Sequence, residues 1–173
     1  MSSTPEVVAA PGMAIDEVVR RSSARLSVPL ATDGVRVAQA LQVHRFIVPH
    51  AERPVSFAPG LFGLLQMRDG VVESVRIGPH TDYLQGAGCV VVLDACAAAL
   101  DGARWQRDRY SGEEAYTRAS QVTTALAGEW YSERVHARLT LRRLHTPNSA
   151  AGRLFGLSQD VFLASLQVGV RTP

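Results

Sequence analysis

Lysine is absent from this chain: all 18 basic residues are arginine. Any grip on a phosphate or carboxylate must therefore come from Arg, His, a hydroxyl or the backbone, although a compositional bias toward Arg and Ala is the simpler account of the pattern. Charge of one sign is also scarce. The net charge is +2, too small to argue for a nucleic-acid partner, and none is expected. Cysteine is limited to Cys89 and Cys96. On a shared helix they would stand roughly 10 Å apart, beyond disulfide reach. Two thiols do not make a zinc site, and the histidines His44, His50, His80, His136 and His145 show no ligand spacing. No bound metal or cofactor is expected. No apolar run reaches membrane-spanning length, so no membrane partner is expected either. The first residues lack the basic-then-apolar layout of a signal peptide, and a reducing cytoplasm is the expected compartment.

What is present suits one domain. The chain has 173 residues, 46% of them apolar and 20% charged, enough for a real core. Residues 1–13 are small and polar and read as a flexible tail, leaving 14–173 as a single domain. A short helix is expected over Ala14–Leu26, and one long strand or two short ones over Val35–Val48, where apolar residues alternate. The proline-rich stretch 49–60 reads as a loop. Leu61–Arg68 and Val71–Ile77 flank Asp69-Gly70, a hairpin signal. Asp82–Leu100 is a long apolar stretch that stops at Asp101-Gly102. Ser111 and Glu114 occupy the two positions of a capping box that opens a short helix. Strands are expected at Gln121–Tyr131, Arg134–His145, Gly152–Leu157 and Val161–Val170. The plan is α+β: an antiparallel sheet wrapped on one long central apolar helix.

The richest segment runs from Leu84 to Leu100. From Ala87 onward its only charged residue is Asp94. A helix apolar all round belongs in a core, where an ionised carboxylate is costly unless paired. That makes Asp94 a candidate base, with a pKa raised by burial; the competing reading has it cap a loop or pair with an arginine. Gly86 and Gly88 leave room for a ligand to approach the backbone, and a helix start there offers free N–H groups to a developing oxyanion. His80, just upstream, is the histidine best placed to join such a site. An alternative takes Cys89–Asp94 as a buried strand, since three consecutive valines favour one, with Asp94 at its carboxyl end.

Gln85-Gly86-Ala87, then six residues, then Asp94, resembles the hotdog-fold acyl-CoA thioesterases of the phenylacetate type, whose motif is His-Gly-Gly, six residues, then Asp on the central helix. The resemblance covers about residues 61–171. Gln85 stands where that family has histidine and Ala87 where it has the second glycine, and about twenty residues separate helix and next strand where fewer are usual. The resemblance implies that the Gly86 and Ala87 amides polarise a thioester carbonyl, that Gln85 positions it, and that Asp94 is base or nucleophile. It implies a small or aromatic acyl-CoA as substrate, with coenzyme A entering as part of that substrate. It further implies a site shared between two subunits of a homodimer or homotetramer, and basic residues near the entrance, for which Arg134, Arg138, Arg142 and Arg143 are candidates. A solvated strand face is the competing reading of that arginine row.

Two other readings stand beside it. The order hairpin, Gly-Cys, helix faintly resembles iron–sulfur scaffold proteins, which need three cysteines. A degraded motif also fits a non-catalytic domain that binds an acyl or aromatic ligand or serves in assembly.

Overall fold

Asp69 and Gly70 both adopt positive φ (52° and 78°), the geometry a two-residue hairpin turn demands. They join two strands of a computed structural model that describes residues 6–27, 35–43, 45–49, 55–57, 61–79 and 84–171.

In chain order the elements are β1 (Glu6–Val8), α1 (Ile15–Arg21), β2 (Leu26–Ser27), β3 (Val35–Val43), β4 (Arg45–Val48), β5 (Val55–Phe57), β6 (Leu61–Arg68), β7 (Val71–Pro79), α2 (Ala87–Gly102), β8 (Gln106–Tyr110), α3 (Gly112–Val122), β9 (Thr124–Tyr131), β10 (Val135–His145), α4 (Ala150–Leu154) and β11 (Val161–Val170). The class is α+β. Eight strands form one sheet in the order β2-β3-β6-β7-β11-β10-β9-β8, with every neighbouring pair antiparallel. From β7 the chain passes through α2, restarts at the far edge with β8, and returns strand by strand until β11 docks on β7. A second, three-stranded sheet (β1-β4-β5) supplies β5 as a neighbour of α2.

Alternation decides which face of the large sheet is buried. In β10, Val135, Ala137, Leu139 and Leu141 are buried, while Arg138 and Arg142 on the other face are exposed. The buried face meets α3, which also packs on β9, and α2 lies against β11, β8 and β9. α3 starts where the Ser111 hydroxyl accepts the Glu114 N–H at 3.2 Å, one half of the expected capping box. The Ser111 N–H goes instead to the Ala127 carbonyl, tying the helix start to β9.

Several expectations are corrected. The expected tail is in part structure: Glu6–Val8 pairs in parallel with β4, and Val7, Ala9 and Ala10 are fully buried, because small apolar residues fill a tight seam. The expected loop 49–60 contains β5. Residues 89–94 are helix, not strand. That helix has 16 residues and is not buried all round. Cys89, Leu93, Ala97 and Leu100 form its buried stripe, whereas Val91 is 67% exposed. Alanine and glycine count as apolar in a sequence yet cost little in water, so the stripe was hidden among them. The expected strand at Gly152–Leu157 is instead α4 and a turn, opened by the Ser149 hydroxyl accepting the Gly152 N–H at 3.0 Å.

Candidate functional site

Gly86 sits at the N-cap of α2 with φ 52° and ψ −129°, a left-handed conformation that favours glycine. Its turn is fixed from both sides. Leu84 exchanges two backbone hydrogen bonds with Phe162 of β11 (3.0 and 2.9 Å), and Gly88 and Cys89 donate to the carbonyls of Gln85 and Gly86 (3.1 Å each). The N–H groups of Gly86 and Ala87 have no acceptor among the described residues, as the first amides of a helix require. Gln85, Ala87 and Gly88 are exposed there. The Gln159 side chain, on the loop before β11, lies against Gly86, its Oε1 3.5 Å from where a Cβ would stand. His80 lies outside the described residues.

Asp94 is exposed on α2, which corrects the expectation of a buried carboxylate. Its partner is a tyrosine: the Tyr110 hydroxyl donates to Asp94 Oδ1 in a short hydrogen bond. Burial, together with the bond to Asp94 and its charge, pushes the Tyr110 phenol well above its usual value, so it stays a protonated donor. Two turns on, Asp101 accepts from Arg107 and from the Trp130 indole N–H (3.0 Å). Arg107 lies over the Tyr110 and Trp130 rings, 5.2 and 5.9 Å from their centroids.

Two acids on α2 thus meet two residues on β8, and the spacings match. Asp94 and Asp101 are about 10.5 Å apart along the helix. Arg107 and Tyr110 are about 10 Å apart along the strand. Residues three apart in a regular strand point to opposite faces, but the β8–β9 register shifts between Arg107 and Arg109. That bulge turns both side chains toward α2.

The four arginines expected near an entrance stand on β10 and in the turn before it. Arg138 and Arg142 project from the face of β10 opposite the buried one, and Arg134 is exposed in the turn before that strand. Arg143 holds the end of α3, donating to the Ser120 carbonyl at 2.6 Å. Arg138 joins Arg109 and His136 around Glu129 (3.5, 3.3 and 3.6 Å), whose side chain is 14% exposed. None of the four is brought to α2 within this chain. Both cysteine thiols are free, and burial pushes each up to about 11, which disfavours the thiolate at neutral pH. Among the described residues there is no group of three His, Cys, Asp or Glu side chains fit to hold a metal.

Sequence reasoning missed Tyr110, Arg107 and Gln159. The only signal was position: Tyr110 immediately precedes the Ser111 cap, so the start of α3 holds it beside α2.

No protein-family model matches the chain, and no curated protein or solved structure is significantly similar to it. Among the described residues no helix is long and apolar enough to cross a membrane.

Proposed function

We propose that the chain is an acyl-CoA thioester hydrolase of hotdog type, acting on a small or aromatic acyl-CoA. The observation that carries this reading is the start of α2: a glycine turn whose Gly86 and Ala87 amides have no acceptor among the described residues, on the helix that also carries a solvent-facing carboxylate at Asp94. Such amides suit the oxygen of a thioester carbonyl as it gains charge. Asp94 accepts the proton of an attacking water, the tetrahedral adduct collapses, and the thiolate of coenzyme A leaves as the carboxylic acid forms. Oδ1 holds Tyr110, which leaves Oδ2 for the water. Gln85 orients the thioester.

Eight residues of helix put Gly86 and Asp94 about 12 Å apart along the axis, too far to act on one carbonyl. The reaction therefore needs α2 of a second copy, running antiparallel, so that Asp94 of one chain faces Gly86 of the other. The exposed Val91 lies between them on this helix and suits such a contact.

The test is thiol release from a panel of short, long and aromatic acyl-CoA esters, with Asp94→Ala run beside the native protein and both sized by light scattering. Turnover by a dimer, lost in the variant without loss of fold, supports the proposal. Absence of release from every ester, or a strict monomer, rejects it.

A second reading has its own observation. The paired contacts Asp94–Tyr110 and Asp101–Arg107 make Asp94 a clamp that fastens the edge strand to α2, which suits a non-catalytic domain that binds an acyl or aromatic ligand or serves in assembly. Asp94→Ala would then lower the melting temperature, with no turnover to lose.

A further inference from the structure

We propose that the cleft between the first turns of α3 and the bulged strand β9 is a binding site for a small monocarboxylate, gripped by Arg118 and Arg109. The cleft has a volume of about 170 Å³, and its lining includes the polar Arg109, Arg118, Ser111 and Glu114 and the apolar Leu126 and Ala127. It exists because β9 bulges: Leu139 of β10 faces Gly128 while the next residue, Thr140, faces Leu126. Ala127 is the extra residue, and its carbonyl takes the Ser111 N–H. The strand bends away beneath the start of the helix and a space opens between them.

The charges around that space are arranged for a ligand rather than for one another. Glu114 and Arg118 stand one turn apart on α3, the spacing at which such side chains commonly pair. Here neither makes an ion pair among the described residues, and both line the cleft instead. Arg109 is steadied from the sheet side, its Nε 3.3 Å from Glu129 Oε2. Glu129 is shared between Arg109 and Arg138, so these two arginines and Arg118, set against Glu114 and Glu129, leave about one positive charge to neutralise. A planar carboxylate matches the guanidinium fork. Glu114 opposes a doubly charged anion in the same space and so disfavours phosphate. The volume equals that of about five or six waters, enough for an acid of about three or four carbons with its chain on Leu126 and Ala127. This site is separate from the Gly86 turn and does not require thioester hydrolysis.

The test is an NMR titration of the full chain with sodium butanoate, following the backbone amides of residues 111–118. Butanamide serves as the neutral isostere, sodium chloride controls for ionic strength, and inorganic phosphate is the competing anion. Butanoate should give saturable shifts at these amides at millimolar concentration, and butanamide none. Arg118→Gln should weaken butanoate by about tenfold or more, whereas Arg153→Gln, exposed on α4 outside the cleft, should leave it unchanged. Circular dichroism checks that both variants fold. Equal shifts with butanamide, tighter binding of phosphate, or an unaltered affinity in Arg118→Gln would each overturn the proposal, as would no saturable shift.

Discussion

The indole N–H of Trp130 donates to Asp101 Oδ1 at 3.0 Å, so a side chain fully buried in the sheet fixes a carboxylate on α2 that also holds Arg107. Partial burial raises the Asp101 carboxyl, but the bonds from Arg107 and Trp130 and the Arg107 charge together outweigh it and hold the group below the usual carboxylate range. Such a group stabilises the fold fully above its unfolded value of about 3.9, and the contribution is lost as pH falls through the lower folded value. Urea unfolding of Asp101→Asn should therefore show the variant less stable than native protein at neutral pH, with the gap closing below about pH 4. A gap that persists undiminished in acid would contradict this account.

Tyr110→Phe keeps the ring beside Trp130, whose centroid is 5.7 Å away, and removes only the donor to Asp94. The expected cost is about 1 kcal/mol, a fall in Tm of about 2–4 °C for a chain of this size. Under the hydrolase reading, turnover should survive in Tyr110→Phe and vanish in Asp94→Ala. Equal loss in both would make the tyrosine part of the chemistry.

With both thiols pushed up to about 11, almost no thiolate exists near pH 7.5. Ellman's reagent should label native protein slowly and denatured protein at once, reaching two thiols per chain. Rapid labelling of the native state would mean that α2 opens readily.

Two glycines should respond in opposite ways. A Cβ on Gly152 would come within 1.9 Å of the Thr146 carbonyl oxygen, so Gly152→Ala should displace the start of α4 and lower Tm by several degrees. Gly88 has nothing within 4 Å of its would-be Cβ. Gly88→Ala should leave stability unchanged or raise it by up to about 1 kcal/mol. A loss of turnover in that well-folded variant would report a ligand lying against the backbone there.

Strong local signals in the sequence carried over to the structure. Asp69-Gly70 turned as its residue types demand, β10 kept its alternation, and Ser111 capped its helix. What could not be read was set by tertiary contact. β8 reads Gln-Arg-Asp-Arg-Tyr, with no apolar alternation, and is a strand only because β9 pairs with it. Gly152–Leu157 carries the apolar residues of a strand, but the Ser149 cap and the tight fit of Gly152 against Thr146 make its start helical. Asp94 was legible as the lone charge in its segment. Its exposure was not, because which side of an alanine-rich helix faces water depends on the sheet beneath it. Tyr110 and Arg107 share a side only through a bulge that no periodicity announces.

That bulge has a further effect at the border of the sheet. β8 closes one side of the eight strands, where an unpaired ladder of amides and carbonyls would invite another chain to add itself and seed aggregates. Here the outer strand is five residues long, bears Arg107, Asp108 and Arg109 in succession, and is thrown out of register in its middle. A passing polypeptide finds a charged, interrupted rail, and self-association through that margin is discouraged by the same irregularity that turns Arg107 and Tyr110 inward.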